Sequence, residues 1–112
     1  MKHLTYSDKS MLVGNDAADL VVRYAAALAS NRIGDAVTLN VYNAEGTSAE
    51  ATLLLDTGAP LMVESLHTDL PEPDNSEAVE YMASRMRELA DSVAAPPAEQ
   101  QMPPIFEDLD LL

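Results

Sequence analysis

The residues in this chain best suited to chemistry are Asp56-Thr57-Gly58, which lie inside its most apolar stretch, residues 51–63. A carboxylate held in a tight turn can act as a general acid or base. The chain has no cysteine, two histidines (His3 and His67) and four glycines that occur singly. Thiolate chemistry, a multidentate metal site and a glycine-rich phosphate loop therefore find no support. We accordingly predict no metal and no cofactor.

The segment 54–59, L-L-D-T-G-A, resembles the signature of retropepsin-like aspartic proteases. Those proteases are homodimers in which the two aspartates share one proton, because two like charges held close together cannot both ionise. The resemblance makes Asp56 the catalytic residue. The family also has a glycine-rich flap after this aspartate, whereas no glycine follows Gly58 here. We therefore favour a non-enzyme in which these residues form the turn between two strands, with Gly58 at a positive φ. A protease using Asp56 stays as an alternative.

The charge of the chain limits the classes of partner that it is expected to bind. Its 19 acidic and 6 basic residues give a net charge of −13. Binding to a phosphate backbone needs clustered lysine and arginine, so we predict no direct nucleic-acid partner. An acidic surface can instead meet a basic partner, mimic a nucleic acid or simply keep the protein in solution. Residues 68–112 hold eleven of the acidic side chains and only two basic ones. We take a mimic acting through the helix predicted at 76–94 as an alternative function.

Neither a membrane span nor a signal peptide is visible. No apolar run approaches the ~18 residues that cross a bilayer. The first residues are polar and lack the apolar core of a leader peptide. We therefore expect a cytoplasmic protein without a membrane partner.

Hydrophobic periodicity predicts an α+β fold with the order β-β-α-β-β-β-α and an antiparallel sheet of about five strands. Two-residue alternation in 36–43, with Val37, Leu39 and Val41 on one face, is typical of a half-buried strand. We expect Asn15 or Asp16 to cap the first helix and Gly34 to end it in a left-handed conformation. Asp74 and Glu77 have capping-box spacing. The predicted strands cover 3–6, 10–13, 36–43, 48–55 and 61–66, the last three as a meander, and the helices cover 16–32 and 76–94.

This layout over about residues 1–90 resembles a group of small actinobacterial proteins with no established function. The likeness implies the fold alone.

Residues 1–94 are expected to form one domain, and residues 95–112 a flexible acidic tail. The tail begins with a proline-rich linker, 95–104, and ends I-F-E-D-L-D-L-L. Such a segment is typical of a short motif that orders on a partner. Residues 108–112 resemble the bacterial sliding-clamp binding motif, with Asp108 in place of its glutamine and Leu112 in place of its phenylalanine. We therefore predict a non-enzymatic adaptor that binds a partner protein. The predicted partner-binding residues are Ile105, Phe106, Leu109, Asp110, Leu111 and Leu112.

The same apolar residues allow a second interpretation. The tail could fold back on its own sheet, or pack on the other subunit of a homodimer, because five exposed large apolar residues are unusual on a surface.

Overall fold

A computed structural model describes residues 1–58 and 60–94. It has five antiparallel strands in one sheet and two helices, in the predicted order. The α+β prediction is therefore confirmed. The 95–112 tail lies outside the described residues. The elements are β1 (Lys2–Tyr6), β2 (Lys9–Val13), α1 (Asn15–Ser30), β3 (Asp35–Tyr42), β4 (Ser48–Leu55), β5 (Leu61–Ser65) and α2 (Ser76–Ala94).

The strands lie in the order β4-β3-β2-β1-β5, so the predicted meander of the last three strands is wrong. β5 crosses to the far edge and pairs with β1, where Leu4 is opposite Val63. The alternation in 61–65 predicts which side chains face the core, but either edge of the sheet satisfies that pattern. Pairing beside β1 places the half-buried Leu61 and Val63 against the core, next to the fully buried Leu4.

The sheet is curled rather than flat. Tyr6 of β1 is three strands away from β4 in strand order, which would be about 14 Å in a flat sheet. Its hydroxyl nevertheless donates a hydrogen bond to the carbonyl oxygen of Leu54 in β4. The amide of Ser7 also donates to the carbonyl of Pro60, at 2.9 Å. β2 and β3 meet only at Leu12 and Tyr42, so the sheet consists of two parts that diverge from this one bridge.

The concave side of the sheet carries the core. The alternation predicted for β3 is confirmed, with Val37, Leu39 and Val41 buried and the intervening residues up to Asn40 exposed. α1 packs against this side through Ala17, Ala18, Val21, Tyr24 and Leu28, all of them buried.

Both ends of α1 are stabilised differently from the prediction. Gly14 occupies the N-cap position without a side-chain bond, and a carboxylate oxygen of Glu72 accepts from the amide of Asn15 at 3.3 Å. At the other end Arg32, not Gly34, is left-handed, with φ 58°. The amide of Ile33 donates to the carbonyl of Leu28, and this contact, together with the bond from Arg32 to Ala29, forms a Schellman motif.

α2 is attached to β3 by one buried side chain. Asn75, which precedes the helix and is 9% exposed, accepts from the amide of Asn40 at 2.7 Å and donates to its carbonyl at 2.8 Å. The asparagine amide thus replaces a neighbouring strand where β2 has left β3. Asp74 accepts from the amide and the hydroxyl of Ser76 and does not form the predicted capping box with Glu77. Met82 anchors the middle of the helix in the core.

Candidate functional site: a groove beside the free edge of β4

The outer edge of β4 has no strand beside it in the described part of the chain. In an antiparallel pair, the backbone groups of successive residues point alternately towards and away from the partner strand. Asn40 directs both its amide and its carbonyl to Asn75, so Asn40 and its partner Glu50 form a pair without mutual hydrogen bonds. By this alternation the amides and carbonyls of Glu50 and Thr52 point outwards. The Leu54 carbonyl, which accepts from Tyr6, has the same orientation and supports the assignment.

A groove of about 540 Å³ runs along this edge. Its apolar lining includes the buried Met11, Val41 and Leu53, and the half-buried Ala49 and Ala51. The two alanines are small, so space is left above the core. The groove has the size of a typical ligand pocket, and it is bounded on one side by unpaired backbone groups. The remaining lining residues are Tyr6, Lys9, Ser10, Asn43, Glu50, Thr52 and Leu54.

The ends and rim of the groove are polar. The Tyr6–Leu54 hydrogen bond lies at one end, and Asn43 lies at the other, where its side chain accepts from the amides of Glu45 and Thr47. Lys9 is the one cationic residue of the lining. An extended segment with one apolar face and some negative charge suits this arrangement of groups.

A second polar cluster surrounds Asp35 at the start of β3. One of its carboxylate oxygens accepts hydrogen bonds from the hydroxyls of Tyr24, at 2.5 Å, and Tyr81, at 2.6 Å. The two rings meet edge to face with centroids 6.4 Å apart. Desolvation opposes ionisation of Asp35, but the bonds from both tyrosines and from the Ala36 amide outweigh it and lower the pKa of the carboxyl. Burial is the main cause that raises the pKa of Tyr24, and the hydrogen bond to Asp35 raises that pKa further. Because the carboxylate is already satisfied, this cluster connects α1, β3 and α2 rather than offering a reactive group.

Asp56 precedes a turn at Thr57 and Gly58 between β4 and β5, as predicted, but these two strands do not form a hairpin because they lie at opposite ends of the strand order. It begins the connection 56–60 and is exposed. The positive φ predicted for Gly58 is confirmed at 91°. The protease interpretation requires the Asp56 of a second chain, so it stays a prediction.

The remaining side chains considered for chemistry are the histidines, of which His3 lies in β1. The imidazole Nδ1 of His3 lies 3.7 Å from a carboxylate oxygen of Glu64 on the neighbouring strand. In the described ranges no group of three or more potential metal ligands converges. No helix in the part of the chain that the structure describes is long and apolar enough to cross a membrane.

The predicted partner-binding residues of the tail, 105–112, fall outside the described residues, so their role stays a prediction. The alternative function, a nucleic-acid mimic, would act through helix 76–94. That helix carries four acidic and two basic residues, and Arg85 pairs with Glu88 at 2.9 Å. The mimic also stays a prediction.

Comparison of the chain with models of protein families, with curated proteins and with solved structures gives no match. The groove is therefore interpreted from its own geometry.

Sequence reasoning missed this groove. The available signal is the pair of alanines at 49 and 51, which take the inward positions of a strand whose later inward positions are Leu53 and Leu55. Small inward residues beside larger ones indicate either close packing or empty space, and the pattern alone does not distinguish the two.

Proposed function

We propose that the protein is a non-catalytic interaction module that binds an extended segment of a partner protein along the free edge of β4. The observation that carries this proposal is the apolar groove beside the outward backbone groups of Glu50 and Thr52. An added strand would satisfy those groups and place alternate side chains in the groove, which is the usual mode of β-strand addition.

The chemistry of the groove describes the ligand. Ala49 and Ala51 leave room for large aliphatic side chains at every second position of the added strand. Lys9 favours a carboxylate at the rim, whereas Glu50 disfavours one directly opposite. A segment that alternates aliphatic and acidic or neutral residues meets these conditions.

Peptide selection tests the proposal. The full chain is used to select binders from a random 12-residue phage library, and each selected peptide is measured by fluorescence anisotropy. Glu50→Pro removes one outward amide without removing a bond to β3, and the proline ring blocks the approach of a strand. We expect this variant to bind the selected peptides about tenfold more weakly, the equivalent of about 1.4 kcal/mol.

Glu50→Ala is the matched control, because it removes the same side chain and keeps the amide. It should bind the peptides as well as the wild type does, and circular dichroism should show the same fold for both variants. Equal peptide affinity of the proline variant would contradict strand addition at β4.

The adaptor role of the tail remains part of the proposal as a separate contact. Deleting residues 96–112 should remove a partner that binds through Phe106 and the leucines, whereas Glu50→Pro should leave that contact intact. A set of captured partners that is unchanged by the deletion would argue against a tail-mediated role.

A further inference from the structure

We infer that the C-terminal segment 105–112 of the same chain docks in the β4 groove as an added antiparallel strand, and so competes with any external ligand. The inference rests on the proposed function, because it assigns a regulator to the same groove. It is carried by the direction of α2, the length of chain that follows it and the chemistry of the groove.

The direction of α2 brings the chain to the correct end of the groove. Asn75 lies on Asn40, and Tyr81 reaches Asp35, so the helix runs antiparallel to β3. The start of β3 is paired with Leu55 of β4, beside the Leu54 end of the groove. A tail that turns back after Ala94 would enter beside the Tyr6–Leu54 hydrogen bond and run along β4 from Leu53 towards Ala49. That path is antiparallel to β4.

The length of the tail is sufficient. From Tyr81 to Ala94 the helix extends about 20 Å, at 1.5 Å per residue. The linker 95–104 spans about 31 Å if it is extended, at about 3.1 Å per residue. It can therefore return along the helix and cross two strand spacings of about 5 Å each. Residues 105–112 then cover about 26 Å, more than the groove needs between Leu54 and Ala49.

The side chains of the tail match those of the groove. Leu109 and Leu111 alternate with Asp108 and Asp110, which is the two-residue period of a strand with one apolar face. The register that places Leu109 beside Leu53 and Leu111 beside Ala51 puts Asp110 opposite Thr52. It thereby avoids a like-charge pair between Asp110 and Glu50.

Amide hydrogen exchange of the full chain tests the docking. In the docked state the amides of Glu50 and Thr52 are hydrogen-bonded, so we expect them to exchange at least about tenfold more slowly than in the variant Leu109→Ser/Leu111→Ser. The amides of Ala51 and Leu53, which face β3, are the internal reference and should be protected in both proteins. The matched control is Gln100→Ser/Gln101→Ser, which alters the linker and keeps the leucines.

The outcomes separate the possible occupants. Fast exchange of Glu50 and Thr52 in the wild type, or slow exchange that persists in the leucine variant, would overturn the inference. Protection that depends on protein concentration and coincides with a dimer in analytical ultracentrifugation would overturn it as well, because the occupant would then be a second copy. Protection that is independent of concentration supports docking within one chain.

Competition distinguishes this inference from the proposed function. If the tail occupies the groove, the leucine variant should bind the selected peptides at least about tenfold more tightly than the wild type, because the ligand-free groove is more highly populated. Peptide binding that is equal in both proteins overturns the inference and leaves the proposed function standing. Slow exchange in the wild type, together with no peptide bound by the leucine variant, supports docking of the tail and contradicts the proposed function alone.

Discussion

Replacing the buried Asn75 by alanine should destabilise the protein more than the removal of an exposed polar side chain does. The side chain makes two hydrogen bonds to the backbone of Asn40, at 2.7 and 2.8 Å, and is 9% exposed. Each such bond contributes about 1 kcal/mol net, and a backbone group left without a partner adds a desolvation cost of similar size. We therefore expect Asn75→Ala to lower the free energy of unfolding by about 2 to 3 kcal/mol.

Urea unfolding followed by far-ultraviolet circular dichroism measures this loss. With a slope of about 1 kcal/mol per molar urea for a domain of this size, the midpoint should fall by about 2 M or more. Asn31→Ala is the matched control. The side-chain amide of Asn31 donates one hydrogen bond, to the Ala27 carbonyl at the end of α1. We therefore expect Asn31→Ala to lower the free energy of unfolding by only about 0.5 to 1 kcal/mol.

Asn75→Asp tests the geometry itself. The aspartate retains the acceptor for the Asn40 amide but places a second carboxylate oxygen against the Asn40 carbonyl. This repulsion raises the pKa of the new carboxyl in the folded state, so its destabilising effect is largest at neutral pH and shrinks as the pH falls and the carboxyl is protonated. A loss below about 0.5 kcal/mol for alanine, or a loss independent of pH for aspartate, would refute the view that Asn75 replaces a strand.

Three further changes follow from the same structure. Arg32→Gly should stabilise the protein by about 0.5 kcal/mol in urea unfolding, because glycine adopts φ 58° without strain. Ser30→Gly, at the last helical residue of α1, should instead destabilise it. Loss of stability at Arg32 would contradict the Schellman assignment. Asp35→Asn should cost about 1.5 kcal/mol at pH 7. Because the folded-state pKa of Asp35 lies below its ordinary value, the difference from wild type should be complete above that ordinary value and shrink as the pH falls through the folded pKa, and a difference that does not shrink in acid would refute it. Asp56→Asn should leave both the unfolding midpoint and the cleavage of a peptide library unchanged, whereas cleavage that is lost with this change would establish the protease alternative.

The elements could be predicted because their information is local. The alternation of Val37, Leu39 and Val41 and the three- and four-residue spacing of the buried positions of α1 follow from secondary structure alone. The apolar residues of each element also lie on one face, so only one orientation of that element removes them from water. The order of the elements, the face of each that packs on the core, and the core itself could therefore be predicted from the sequence.

Strand order and helix ends were less accessible, because several arrangements satisfy the same local pattern. The alternation of Leu61 and Val63 does not specify whether β5 pairs with β4 or with β1, and the structure pairs it with β1. The end of α1 was assigned to Gly34 on the strength of residue type. The structure uses Gly34 for a close approach instead, since a Cβ there would lie 3.2 Å from the Leu55 carbonyl. Arg32 takes the left-handed position, and the amide of the next residue, Ile33, donates to the carbonyl of the buried Leu28.

The groove and the Asn75 contact arise from one feature that no local pattern encodes. Because β2 leaves β3 after the single bridge at Leu12 and Tyr42, the β3–β4 hairpin has two edges without a neighbouring strand. Asn75 covers the β3 edge with a side chain, and the β4 edge is left open beside apolar residues. Open edges are normally protected by proline, by several charges or by a covering segment, since they otherwise pair with other chains. The middle of β4 has only Glu50 for this purpose. The hairpin therefore has one edge that a dedicated side chain covers and one edge that is left open. This difference favours the view that a specific segment binds the β4 edge.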